Sequence, residues 1–468
     1  MCNTAQKRGN LYLAMPNIRP NSVGSLRLNF HSPTDEFDAH FCAFLQTNLG
    51  KIYLAFPWKD WIRTFGLKQH KVGRKGRFGP HGMLALMILK HYSGLGDKKL
   101  IEHLNGNIHW QIFCHIQIRA GEPIRDFKVV SKIRCQLGKK LGSRVHRLQK
   151  DLARFWKPHM TQTNVALVDA TCYESSVRYP TDQKLLRESV EWAYSELKSS
   201  CKFLSIRMPR TKYLKWAARY QSYSRKRKRR RKERRSLTRG LLRLLEKLVG
   251  ELHRLEQTYP CEYSAKYISR RKVVEKVLGQ QYAYFHQGIK PSGRIVSLAK
   301  PYLRPIVRGK EVKAVEFGAK VNKVQIDGIN FIETLSFEAF NEGTRLHNSI
   351  FMSRRLLGRV DVIGADAIYA TNKNRSYCTG QKISTDFRRK GRAGKYEAQR
   401  IQLAKNISKE RASRLEGSFG TEKNHYLLHR IGARTEETER LWIFIGIHTA
   451  NALKIGRRMA KKQQKEVA

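Results

Sequence analysis

Apolar residues recur at three- and four-residue steps along much of this chain, which predicts helices with one buried face. The longest such series is Leu237, Leu241, Leu244, Leu245, Leu248, Leu252 and Leu255. That face suits either a core helix of a helical subdomain or the seam of a coiled-coil dimer. Between 82 and 104, Met83, Leu84, Leu86, Met87, Ile88 and Leu89 predict one helix, and Leu100, Ile101 and Leu104 a second. Ser93-Gly94-Leu95-Gly96-Asp97 separates them, with Asp97 placed to cap the second. A helix pair of this kind can lay a helix in a DNA major groove, and it is equally common in all-α domains. The first forty residues have weak periodicity and read as an arm.

The pattern changes at 165–169, where Val165-Ala166-Leu167-Val168 forms a continuous apolar run ending in Asp169. This predicts a buried strand. Pro180-Thr181-Asp182 then opens a helix with Leu185, Leu186, Val190 and Leu197 on its buried side, capped by Thr181 or Asp182. Runs of β-formers at 312–326 and 331–335 flank Asp327-Gly328-Ile329-Asn330, a hairpin signal. A helix over 344–357 precedes a second apolar run, Val360 to Ala365, which ends in Asp366. A helix from about Thr371, a basic glycine-containing linker at 387–396 and a polar helix containing Glu416 complete the series.

Charge narrows the partners. The 468 residues carry 92 Lys+Arg against 38 Asp+Glu, a formal net charge of +54, which calls for a polyanion. A disordered basic tail is excluded, because 41% of residues are hydrophobic and 10% aromatic, enough to form a core. The block at 225–235 concentrates the charge, with Arg225, Lys226, Arg227, Lys228, Arg229, Arg230 and Arg231 in succession. It is expected to be a solvated, mobile segment that contacts phosphates without reading base sequence. No apolar run approaches the ~18 residues of a membrane span, and the first residues lack the apolar core of a signal peptide, so no membrane partner and a cytoplasmic, nucleoid-associated location are expected. Eight cysteines, Cys2, Cys42, Cys114, Cys135, Cys172, Cys201, Cys261 and Cys378, show no CxxC pair and suggest neither a zinc ribbon nor a disulfide framework.

The two strand-end carboxylates stand out in so basic a chain. A carboxylate at the end of a buried strand is partly desolvated and stays ionised only when paired, hydrogen-bonded or bound to a metal. Oxygen donors of this kind suit Mg²⁺ or Mn²⁺. Asp169 and Asp366 converge if their strands are neighbours, and Glu416 is the third candidate, with Lys423 two turns further along one helical face. Gly417 and Gly420 suggest a close backbone approach there.

Several segments then follow one another in a telling order: Val168-Asp169-Ala170-Thr171; Tyr179-Pro180-Thr181-Asp182 with Leu185-Leu186; Arg304-Pro305-Ile306 with Gly309-Lys310; Glu316-Phe317-Gly318-Ala319-Lys320; Asp366-Ala367-Ile368-Tyr369 with Asn374-Arg375; and Glu416-Gly417-Ser418-Phe419-Gly420 with Lys423. This series resembles bacterial insertion-sequence transposases of the DDE type. The stretch from Gly82-Met83-Leu84-Ala85-Leu86 through Leu100 to Phe113-Cys114 is similar to that family's N-terminal helical domain. The resemblance implies a mixed α/β catalytic domain with an RNase-H-like sheet flanked by helices at 161–186 and 304–460. Before it would come an arm with the first helices at 1–70 and an all-α DNA-binding domain at 71–160. A helical insertion at 187–303 and a basic tail at 461–468 complete the expected organisation. Asp169, Asp366 and Glu416 would hold two Mg²⁺ or Mn²⁺ ions, and Lys423, Arg411, Arg414, Tyr369, Asn374, Arg375 and Lys320 would contact DNA. Ala412 stands where the wider family carries an Arg, and Ile368 where many relatives carry a Gly.

The implied activity is cleavage of double-stranded DNA at element ends, followed by attack of the freed 3′-OH on target DNA, by a homodimer or higher oligomer. The N-terminal helices would read the terminal repeats. A metal-dependent nuclease on the same scaffold, and a non-enzymatic basic nucleic-acid-binding protein, are the rival readings.

Overall fold

The computed structural model describes residues 19–20, 35–68, 76–119, 121–260, 262–307 and 314–467. Most of the expected arm, and Gly309-Lys310, Cys2 and Cys261, lie outside the described residues. The chain forms mixed α/β structure in two compact units: Met1–Glu174 with Lys320–Ser336 and Phe340–Ala468, and Ser175–Ala319 with Phe337–Ala339.

Five of the strands are, in sequence order, Val165–Ser175, Val315–Ile326, Ile329–Ser336 and Val362–Ala365, which the sequence predicts, and a short Ser384–Thr385, which it does not; they belong to the first unit save Ser175 and Val315–Ala319. Numbered one to five, they lie side by side as 3-2-1-4-5. Strands 2 and 3 are an antiparallel hairpin whose register closes at Ile326↔Ile329, leaving Asp327-Gly328 as the loop. Both loop residues have positive φ, +48° and +77°, the two-residue turn whose twist matches that of the strands it joins. Strands 1 and 4 are parallel with Val165↔Val362 through Val168↔Ala365, and strand 5 is parallel to strand 4.

The N-terminal helices belong to this same unit. Helix Pro80–Ser93 ends at Gly94, whose φ of +68° is the left-handed stop that glycine adopts without strain. Its residues from Leu84 to His91 are buried without a break, so it is a core helix and presents no free face to a groove. Asp97 does not cap the second helix, whose cap is Gly96; it pairs instead with the buried Lys90 at 2.8 Å and with Arg134 at 2.9 Å. The C-terminal helix Glu436–Val467 lies against these helices: Trp61 stacks on Phe444 at 5.7 Å, and Arg134 lies over Trp442 at 4.8 Å. Helix runs on through 461–467, where a basic tail was expected. No described helix is long and apolar enough to cross a membrane.

The second unit is helical, with Asp182–Phe203, Tyr213–Arg225, Arg231–Thr258 and Ala265–Tyr282. It is wider than the insertion expected at 187–303. Leu237, Leu241, Leu244, Leu245, Leu248 and Leu252 are buried in its core together with Leu186, Val190 and Leu197 of the first helix. The leucine face therefore serves an intrachain core. The basic block is not a free segment either, since it ends one helix, turns, and begins the next, with Lys226 bound to Glu233 and Arg229 over Tyr223.

Candidate active site

Alternation along strand 1 decides which side chains reach the site. Val165, Leu167 and Asp169 share one face, and Leu167 packs there against Ile407 and Leu415, with Val362 and Phe419 beside them. The residues contributed from outside the sheet belong to a continuous helical stretch: Glu397–Glu410, a π-helical turn over Arg411–Glu416, then Gly417–His425. Gly364 of strand 4 makes this approach possible. A β-carbon built on it would stand 2.3 Å from Ile407 Cγ2 and 3.4 Å from Arg411 Cδ. The close approach expected at Gly417 and Gly420 is absent, for both face open space.

Because Val168 pairs with Ala365, Asp169 and Asp366 follow at adjacent positions of two parallel neighbours. The two strands are neighbours, the condition under which the sequence has the carboxylates converge. Burial pushes the Asp169 carboxyl up to about 6, and the charges of Glu342 and Asp366 add to that, against the Ala170 N–H at 2.7 Å and Arg411. Asp366 is the more open of the two, with 62% of its side chain exposed.

Arg411 reaches both edges of this acidic patch. Its guanidinium lies 3.9 Å from Asp366 and 3.5 Å from Asp386. Asp386 is almost fully buried and accepts the Ala365 N–H at 3.1 Å, and burial raises its carboxyl above the usual range. Glu342 is bound by Lys320 at 2.7 Å. The sequence reading missed Asp386 and Glu342. Asp386 follows a two-residue strand too short to register as a pattern, and its position opposite Gly364 depends on the pairing of strands 4 and 5.

The other expected residues separate into two groups. Glu416, Arg414 and Lys423 lie on the helical stretch; Glu416 is exposed, Arg414 is bound to Glu410 at 2.8 Å, and the Lys423 ammonium is 5.9 Å from the Tyr173 ring. Three supposed DNA contacts are interior instead. Tyr369 is fully buried and donates its hydroxyl to Asn322 at 2.7 Å. Asn374 is buried and donates to the carbonyls of Gly343 and Tyr369. Lys320 is buried against Glu342 and the Phe340 carbonyl. These three tie strand 2 and the turns after strands 3 and 4 together, and Arg375 donates to the Ala370 carbonyl at 3.0 Å.

Beneath the helix lies a buried ionic network. Lys323 binds Glu422 at 2.6 Å and the Tyr173 hydroxyl at 3.0 Å, and Asn330 donates to Glu422 at 2.6 Å. Burial lowers the Lys323 ammonium to about 8 against the support of Glu422. Tyr173 and Tyr369, both enclosed, have no path to attack a phosphate.

Residues 43–136 match the sequence model of a family described as Transposase domain (DUF772). The match supports a transposase. No curated protein and no solved structure matches the chain.

Carboxylate oxygens at adjacent register, one of them raised first by burial and then by its neighbours' charge, are a donor set suited to a hard divalent cation. Among the described residues, however, no group of three or more His, Cys, Asp or Glu is close enough to hold an ion, so Glu416 is not brought alongside the pair.

Proposed function

We propose that this chain is a DNA transposase of the DDE type, which cleaves the phosphodiester at an element end and joins the resulting 3′-OH to target DNA. The observation that carries this reading is the in-register pair formed by Asp169, which lies within strand 1 and not at the end the sequence predicts, and Asp366, just past the end of its parallel neighbour. The strand order 3-2-1-4-5, with its 2/3 hairpin and parallel 1/4 and 4/5 pairs, supports an RNase-H-like core, and the transposase-domain match supports the substrate class.

In this reading Asp169 and Asp366 would hold a divalent cation, with Glu416 on the adjoining helical stretch as the third carboxylate. Bound Mg²⁺ or Mn²⁺ supplies charge that offsets the phosphate and the leaving oxygen. Arg411, beside Asp366 and Asp386, orients the acids before substrate arrives. Arg414 and Lys423 take the backbone phosphates on either side of Glu416. Tyr369, Asn374 and Lys320 hold strand 2 and the turns beside the acids in place. Hydrolysis breaks the bond between phosphorus and the 3′ oxygen, and the freed hydroxyl then displaces a 3′ oxygen in the target strand, with no protein–DNA bond required.

The test is incubation of purified protein with Mg²⁺ and the DNA flanking its own gene, mapping broken and joined ends. Asp169→Asn, Asp366→Asn and Glu416→Gln are each expected to abolish cleavage and to retain DNA binding, since an amide keeps the shape and loses the charge. Wild-type cleavage by any one of them would show that the three acids are wrongly assigned.

A further inference from the structure

The second unit carries a cleft that the reading above does not use. Its volume is about 700 Å³. The first turn of helix Arg231–Thr258 sets Arg231, Arg234 and Arg235 along one side, at the spacing that shares a helix face, and all three are exposed. Glu233, the acid of that turn, is held by Lys226. Across the cleft, the Arg294 guanidinium lies over the Tyr284 ring at 5.3 Å and is bound to Asp182. Tyr179 stands at the rim, 69% exposed, with its ring edge to face on Phe317 at 5.8 Å. Four arginines thus share one lining carboxylate, and two tyrosine rings stand among them.

The charge selects an anion, and the exposed rings select one with a flat ring of its own. The volume is that of a small-molecule pocket and far below what a double helix occupies. In duplex DNA the faces of the bases are covered by their neighbours, so a paired base has nothing to offer Tyr179. An unpaired base exposes both faces, and base stacking on aromatic side chains beside a cationic track is how unpaired strands are held.

We infer that this cleft takes an unpaired nucleotide, its phosphates on Arg231, Arg234 and Arg235 and its base on Tyr179 and Tyr284. The inference rests on the DNA-directed reading above for the source of that nucleotide, a single-stranded stretch of the substrate. The same chemistry would accept a free nucleotide, and the experiment separates the two.

The full chain is titrated with a short oligothymidylate containing one 2-aminopurine, whose fluorescence is quenched on stacking, and in parallel with a fluorescein-labelled duplex. Tyr179→Ala and Tyr284→Ala are expected to weaken oligonucleotide binding by about tenfold and to abolish the quench, with duplex affinity unchanged. Tyr179→Phe, which keeps the ring, is expected to restore both. Displacement of the oligonucleotide by dTTP at equal concentration assigns the cleft to free nucleotides, and failure of dTTP to displace it assigns the cleft to a strand. Unaltered oligonucleotide binding and quench in both alanine variants overturns the inference, whatever the cleavage assay reports. Loss of cleavage in the acid variants is read independently, because those residues lie in the other unit.

Discussion

Asp169 shows how one residue records the demands of its site. Its carboxyl is raised from an ordinary 3.8 to about 6, so between those values the folded state holds more protons than the unfolded one, and stability falls as pH rises through that window. Asp169→Asn removes the burden. In chelator it is expected to be about 3 kcal/mol more stable than wild type at pH 7, with the difference vanishing toward pH 4. Urea midpoints across that range check it, and a gain independent of pH would assign the effect to packing. Lys323 and Glu422 make the opposite case, a buried pair in which each ion depends on the other. Glu422→Gln leaves the ammonium uncompensated and is expected to cost about 3–5 kcal/mol, whereas Lys323→Met combined with Glu422→Gln recovers most of it in a double-mutant cycle.

At the scale of elements, the site depends on how closely the stretch Glu397–His425 lies on strands 1 and 4. Gly364 sets that distance, because Ile407 and Arg411 occupy the space a side chain would need. Gly364→Val is therefore expected to destabilise the protein by about 1–3 kcal/mol and to lift the helix bearing Arg411 from the acid pair. Cleavage should then fall with little change in duplex affinity. A variant with lowered thermal midpoint and full cleavage would show that the approach is not needed for chemistry. The π-helical turn at Arg411–Glu416 belongs to the same argument, since such turns interrupt a helix at the cost of regular hydrogen bonding and are frequent at functional sites.

The whole molecule revises the expected division of labour. A helical domain ending near residue 160 looked separable in the sequence, yet its core is completed from the other end of the chain. Trp61 stacks on Phe444, His91 Nδ1 is 3.0 Å from the Tyr426 carbonyl, and the Gly456 backbone presses on Lys51 closely enough that a β-carbon would stand 2.3 Å from its carbonyl oxygen. A fragment of residues 1–160 is therefore expected to lack a cooperative unfolding transition by circular dichroism, and to regain one when a peptide covering 426–467 is supplied. A sharp transition in the fragment alone would restore the view of a self-standing domain.

Periodicity determined the local elements. The leucine face of 237–255, both apolar runs ending in Asp169 and Asp366, and the Asp327-Gly328 turn were all legible, because each depends on residues close in sequence and on the bare geometry of helix, strand and hairpin. The pairing of strands 1 and 4 was legible only as a condition, since register is a long-range property that a separation of 197 positions does not encode locally. Tertiary structure alone decided that Tyr369, Asn374 and Lys320 are interior, that Asp386 and Glu342 join the acidic patch, and that Gly364 rather than Gly417 or Gly420 marks the close approach. Each of those outcomes turns on what a distant segment places against the residue, and burial and electrostatic coupling exist only once that neighbour has arrived.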